Sequence, residues 1–453
     1  MSVGGNADYQ PDAVGRISFA RDLDAPARKF SVLLSAPDGN GIFIKVRYIG
    51  IINIQRGNIK GFELRTLDKF AARRIAGEGM VLLKNDGGVL PIDLGKTKRI
   101  AVVGENAIKM MTVGGGSSSL KVRHEYTPLE GIRAAAGDKA EVVYERGYVG
   151  DVTGDYNGVK TGQDLSEKRS EEQLIADAVA AAREADAVIF VGGLNKSDHQ
   201  DCEGADRLQY GLPYAQDKVI EALAGANPNL AVVIVSGNAV AMPWIDRVPA
   251  VLEAWFSGSE AGNALADVVF GAVNPSGKLP FTFPVRLEDN SAHALGEYPG
   301  TDKVAYNEGI FVGYRWHDKE RIKPLFAFGH GLSYTTFDIA NVTADRTALA
   351  ANGRIQVSAD VTNTGSRPGA EVVQLYIGDE ESSLPRPVKE LKGFQKIALD
   401  PGQTQTVTFE ITPDMLQYYD DAKGAWVAEP GTFTAYVGAA SDDIHGIARF
   451  ELK

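Results

Sequence analysis

The chain has 453 residues, of which 44% are hydrophobic and 23% charged, the make-up of a globular protein long enough for two to four domains. Lys and Arg total 47 against 59 for Asp and Glu, and this formal charge of -12 argues against a dedicated nucleic-acid binder. A single cysteine, Cys202, excludes an intramolecular disulfide framework; six scattered histidines show no metal-ligand spacing, and no run of 18 apolar residues predicts a transmembrane helix, so neither a metal nor a membrane partner is expected. Residues 1–68 contain two β-branched runs, 30–34 and 42–54, separated by the turn signal Pro37-Asp38-Gly39. Either a few strands or a disordered leader fits this segment. The N-terminal residues lack a basic region followed by an apolar one, so no secretion signal is read there and the compartment stays open.

From residue 69 the pattern changes. Residues 67–84 carry apolar positions at helical spacing and end at Asn85-Asp86-Gly87-Gly88. Continuous apolar runs at 100–104, 142–146, 187–193, 230–236 and 251–255 predict strands buried on both faces. Helical segments at 173–185, 214–224 and 261–270 alternate with them. Together they predict an α/β domain over residues 69–337, a mostly parallel sheet with helices on both faces. Ligands of such sheets bind beyond the carboxyl ends of the strands, which directs attention to the loops after Gly104, Gly193 and Ser236. Residues 150–164 read as a surface loop and 274–284 as a Pro-punctuated extended segment. Residues 338–453 alternate apolar and polar positions at 355–362, 371–377, 404–411 and 431–437, with turn signals such as Asn363-Thr364-Gly365 and Asp400-Pro401-Gly402 between them. This is the pattern of an all-β sandwich of immunoglobulin type.

Several short motifs follow one another in order. They are Leu82-Leu83-Lys84-Asn85, Leu90-Pro91, Gly114-Gly115-Gly116-Ser117 and Glu203-Gly204-Ala205-Asp206-Arg207. Leu212-Pro213 with Gln216 comes next, then Asn274-Pro275-Ser276-Gly277-Lys278-Leu279-Pro280 and Tyr306-Asn307-Glu308-Gly309-Ile310 with Gly313-Tyr314-Arg315. The series closes with Phe328-Gly329-His330-Gly331-Leu332-Ser333-Tyr334. In this order they resemble the C-terminal half of glycoside hydrolase family 3, and the closing β-sandwich resembles the fibronectin type III-like domain of its β-glucosidases. The resemblance implies retaining hydrolysis of β-linked glucosides or oligosaccharides, with no cofactor. It also implies a nucleophilic Asp on an N-terminal (β/α)8 barrel. The Ser-Asp pairs at Ser197-Asp198 and Ser441-Asp442 lack the family's context for that Asp, and residues 1–68 are too few for a barrel of about 250 residues. The resemblance then implies a barrel on another chain or in missing sequence as the source of the nucleophile, with a barrel-bearing chain or a homo-oligomer as the expected partner.

Retaining glycosidases use two carboxyl groups, a nucleophile and an acid/base, set roughly 5–5.5 Å apart. By the resemblance, Glu203 is the acid/base candidate, in a polar loop just past a buried strand end. A nearby carboxylate would raise its pKa and keep it protonated. Asp206 and Arg207 either pair to support that loop or touch substrate; Asp198, His199 and Asp201 either touch sugar hydroxyls or are exposed loop residues. Cys202 reads as a packing residue without a His partner. The run from Gly114 to Ser119 resembles a phosphate cradle but lacks the P-loop Lys, so Ser117 is read as a sugar contact or as part of a flexible loop. Trp244, Trp255, Phe256, Trp316, Phe326 and Phe328 either stack on sugar or pack in the core. His330, between two glycines, reads as a hydrogen-bonded structural histidine. Two functions remain open: a β-glucosidase half supplying Glu203, or a non-catalytic sugar-binding or interaction module.

Overall fold

In the computed structural model, residues 16–21, 29–35, 41–47, 59–112, 120, 122–150, 152, 161–202, 205 and 207–453 are described. The chain divides into two units, Met1–Thr66 and Leu67–Lys453. In the first, β1 (Arg16–Arg21), β2 (Lys29–Ser35) and β3 (Gly41–Arg47) form an antiparallel meander. The run at 30–34 falls within β2, and the run at 42–54 begins as β3 and passes out of the described residues after Arg47.

Helix α1 (Ile59–Gly79) stops five residues before the sequence pattern predicts. Val81, Leu82 and Leu83 are buried in succession, which a one-faced helix cannot achieve, and they form strand β4 (Val81–Asn85) instead. Then follow β5 (Arg99–Val103), α2 (Pro128–Ala136), β6 (Glu141–Glu145), α3 (Glu171–Glu184) and β7 (Ala187–Gly193). The α/β region closes with α4 (Gln216–Ala226), β8 (Leu230–Val235), β9 (Ala250–Glu253) and α5 (Ala261–Val269). The sheet order is β4-β9-β8-β7-β5-β6, parallel from β9 to β6, with β4 an antiparallel edge. The predicted mostly parallel sheet is therefore present.

Its two faces follow from the period of two along each strand. Ile100, Val102, Ile189, Val191, Ala231 and Val233 pack with Ile132 of α2 and Leu265 of α5. Ala101, Val103, Val188, Phe190, Val232 and Ile234 pack with Leu174 of α3 and Val219 of α4. Each such aliphatic side chain contributes roughly 1.5–3 kcal/mol on burial, which is why the continuous apolar runs settle in the middle of the sheet. Helix α2 was missed in the sequence, although Thr127 and Glu130 form a capping box around Pro128: Thr127 N–H donates to Glu130 Oε2 at 2.8 Å, and Glu130 N–H to Thr127 Oγ1.

Chain direction sets the crevice. From β5 the chain steps outward to β6, then returns to the other side of β5 as β7 and proceeds to β8 and β9. The order reverses between β5 and β7, the place where open α/β sheets hold ligands.

Short helices α6 (Ser291–Ala294) and α7 (Tyr314–Glu320) lie in the segment leading to the β-sandwich. The sandwich strands are β10 (Phe337–Ala344), β11 (Ala348–Leu349), β12 (Ile355–Asn363), β13 (Gly369–Asp379) and β14 (Glu390–Leu399). They continue as β15 (Thr404–Ile411), β16 (Tyr418–Asp420), β17 (Ala425–Val427), β18 (Gly431–Ala440) and β19 (Asp443–Leu452). Sheets β10-β12-β15 and β11-β19-β18-β13-β14 enclose a core that includes Val357, Phe409, Leu375, Val437 and Phe450. The motif around His330 joins the layers. Leu332 N–H donates to Leu82 O, His330 Nε2 meets Leu83 O at 2.9 Å, and Tyr334 Oη donates to Val268 O at 2.9 Å. Burial lowers the His330 pKa, consistent with a structural histidine bonded to the backbone. Lys278, bound to Gly331 O and Glu371, ties this segment to β13.

Candidate functional site

Loops at the carboxyl ends of β5, β7, β8 and β9 meet on one edge of the sheet. Two glycines allow this. Gly104, with φ 120°, lies so close to β7 that a Cβ would sit 2.1 Å from Val191 O; Gly193, with φ 117°, stands in the same relation to Val235 O at 2.2 Å. Any side chain would push the strand ends apart.

Beyond Gly104, Glu105 is buried and carries three partners. Its Oε2 accepts from Arg146 Nη2 at 2.7 Å and from Gly150 N–H at 2.6 Å, and Lys109 Nζ approaches Oε1 at 3.3 Å. Asn106 Nδ2 donates to Leu194 O at 3.0 Å, linking the β5 loop to the β7 loop across the switch point. These charges are desolvated and ion-paired with one another at the foot of the crevice.

Beyond β7, the side-chain amide of Gln216 clasps the strand end: Gly193 N–H donates to its Oε1 at 2.7 Å, and its Nε2 donates to Gly193 O at 2.8 Å. The loop then folds back on itself. Asn195 N–H donates to Gln200 Oε1 and Asp201 N–H to Asn195 O, both at 2.9 Å. Two side chains pin it to the neighbouring loop after β8. Gly237 N–H donates to Asp201 Oδ2 at 2.6 Å, and Arg207 donates to Ala239 O and Tyr210 O, both at 2.7 Å. Burial raises the Asp201 carboxyl and lowers the Arg207 guanidinium, while their mutual attraction opposes both shifts.

Of the residues singled out from sequence, Glu203, Asp206 and Ser117 lie outside the described residues, as does the run from Gly114 to Ser119. Arg207 is brought to the crevice with Asp201, but its described hydrogen bonds go to backbone carbonyls. His199 and Asp198 are exposed on the rim, His199 with φ 62°. Cys202 pairs across the turn with Ala205. Trp244 is fully buried, its Nε1 donating to Asp217 at 2.8 Å, and Trp316 is also buried. Trp255 and Phe256 instead line a cavity of about 240 Å³ beside the ends of β8 and β9.

Sequence reasoning missed Glu253, the last residue of β9 and fully buried. Trp255 N–H, at φ 55°, donates to its Oε1 at 3.0 Å. Ser236 Oγ lies 2.8 Å from Asn238 O and 3.2 Å from Glu253 Oε2. One hydroxyl proton serves one acceptor. Burial raises the Glu253 pKa well above the ordinary carboxyl range, against the hydrogen bonds from Trp255 and Ser236 that favour the charged form. A carboxylate breaking an apolar run, in Ala250-Val251-Leu252-Glu253-Ala254, was the available signal.

Comparison with known proteins places these features in a family. Residues 80–334 match the model of the glycosyl hydrolase family 3 C-terminal domain, and residues 371–441 that of a fibronectin type III-like domain. A β-glucosidase of Bacteroides ovatus is 50% identical over 84% of this chain and 51% of its own length. A thermostable β-glucosidase B of Acetivibrio thermocellus is 43% identical over 82% of this chain and 47% of its own. The chain thus spans about half the length of these curated relatives. Among solved structures, a Bifidobacterium adolescentis β-glucosidase superposes with a TM-score of 0.76 at 34% identity, covering 87% of this chain and 55% of that one. A Kluyveromyces marxianus β-glucosidase in complex with glucose gives 0.77 at 28% identity, covering 85% and 62%.

Proposed function

Because the chain belongs to glycoside hydrolase family 3, we propose that it is the α/β-sandwich and fibronectin type III-like portion of a retaining β-glucosidase, with Glu203 as general acid/base. The substrate in this reading is a β-linked glucoside or oligosaccharide. The observation that carries the reading is the loop after β7. It is tied at Asp201 to Gly237 before Glu203 and at Arg207 to Ala239 after it, so both flanks of Glu203 are held at the carboxyl edge of the sheet. Three carboxyl groups described at this edge are already engaged. Glu105 is ion-paired and Glu253 is fully enclosed, while Asp201 accepts the Gly237 N–H. In this reading Glu203 protonates the leaving oxygen.

A retaining mechanism also needs a carboxylate nucleophile roughly 5–5.5 Å from the acid/base. In this proposal it comes from a barrel domain, in the same protein or on a partner chain. Arg207, Asp206, Ser117 and His199 are proposed contacts to sugar or supports of the loop.

The test is hydrolysis of 4-nitrophenyl β-D-glucoside, with the protein alone and with a family barrel added, against Glu203→Gln. Turnover that falls by roughly 10²–10⁴-fold in Glu203→Gln is expected of an acid/base. Turnover unaffected by the substitution would remove Glu203 from the role. No turnover in either mixture, with saturable glucose binding retained, would instead favour a sugar-binding module.

A further inference from the structure

The cavity beside β8 and β9 is walled by Met80, Met111, Trp255, Phe256 and Leu265, a mostly apolar set. Its volume of about 240 Å³ sets the size of an occupant. An apolar cavity of ~150 Å³ holds benzene. There is room for one substituted ring and too little for a disaccharide. Three charged side chains also reach the wall, and two are already engaged there. Lys109 pairs with Glu105 at 3.3 Å. Glu125 accepts the N–H groups of Met111 and Thr112 at 2.6 and 3.0 Å, so its oxygens turn towards the backbone. Lys196 differs. Its ammonium lies 3.8 Å from the centroid of the Phe256 ring, and among the described residues it makes no ion pair; Asp201 acts on it only at longer range. A half-buried cation over an aromatic face, in the wall of an apolar cavity of one-ring size, is complementary to an anion carried on an aromatic ring.

We propose that this cavity binds a small aromatic acid, with its ring between Phe256 and Leu265 and its carboxylate on Lys196. The site does not rest on the glycosidase reading and asks nothing of Glu203.

The test is equilibrium binding by titration calorimetry, with 4-hydroxybenzoate and its neutral counterpart 4-hydroxybenzamide as probes. The wild-type protein is expected to bind the acid roughly tenfold more tightly than the amide. Lys196→Met should erase that preference while leaving amide binding in place, Lys196→Arg should keep it, and Phe256→Ala should weaken both ligands. Equal binding of acid and amide by the wild type, or no saturable binding of either, would overturn the assignment without recourse to any variant. Displacement of the acid by D-glucose at equal concentration would overturn it in favour of a sugar site. No turnover is read, so failure here and failure of the Glu203 reading remain distinct.

Discussion

Replacing Glu253 tests whether a neutral carboxylic acid holds the ends of β8 and β9 together. In Glu253→Ala the Trp255 N–H loses its acceptor 3.0 Å away inside a closed site. An orphaned buried donor costs about 1–3 kcal/mol. The space left by four missing heavy atoms adds about 1–2 kcal/mol, since the strand ends cannot collapse around it. Ser236 keeps its bond to Asn238 O and adds little. The expected loss is therefore about 2–5 kcal/mol. Glu253→Gln should cost less than about 1 kcal/mol, because its amide reproduces the pattern of the protonated acid: Oε1 accepts from Trp255 and Nε2 donates to Ser236. The pH dependence gives a second arm. The folded pKa is raised above the unfolded value of about 4.3, so the folded state keeps a proton that the unfolded state releases. That stabilisation is complete below the unfolded pKa and is lost as pH rises towards the folded one, by up to about 1.4 kcal/mol per pH unit. Urea denaturation from pH 5 to 8 should show the wild type losing ground to Glu253→Gln as pH increases. Equal losses in the Gln and Ala variants, or a difference that does not change with pH, would refute a neutral Glu253.

Substitutions at three further positions probe the same edge. Gln216→Ala should cost about 2–3 kcal/mol in urea denaturation, since both polar groups of buried Gly193 lose their partner; Gln216→Glu should recover only the N–H bond. Glu105→Gln removes the one carboxylate that both buried Arg146 and buried Lys109 pair with, and roughly 3–5 kcal/mol is expected from the shift in denaturation midpoint. Arg207→Ala frees the carbonyls of Ala239 and Tyr210, and hydrogen exchange should quicken across residues 195–210 while β8 peptides stay protected; uniform quickening would show that the loop is not a separate unit.

The parts of the fold legible in the sequence are those set by burial alone. β7 was read residue for residue because all seven of its residues are buried, and β15 because its apolar positions alternate cleanly. Helix α1 was overextended because Leu82 and Leu83 continue its apolar spacing, and only pairing with β9 decides that they belong to a strand. Helix α2 was passed over because it is only nine residues long, although its capping box was readable. The site was less legible. Gln216 and His330 stood in motifs, yet their roles depend on backbone atoms 23 and 247 residues away. No local pattern encodes a backbone partner at that separation.

The way this edge is built bears on how an acid/base would work there. Few of its side chains meet one another directly. Asp201, Arg207, Gln216 and Asn106 each spend their hydrogen bonds on main-chain groups of a neighbouring loop or strand end. A main-chain partner keeps its position through rotamer changes, so loops fixed in this way are placed by the sheet itself. The charge is arranged in the same sense. Glu105 is paired with two cations and burial favours the neutral form of Glu253, which leaves the crevice floor with little net negative field. A glutamate in the loop above then has its pKa governed chiefly by whatever carboxylate approaches it across the crevice. On that argument the alkaline limb of the pH profile, set by the acid/base, should depend on the partner carboxylate: in Glu253→Gln the profile should keep its position, and a shift of more than about one pH unit would place the floor, rather than the partner, in control.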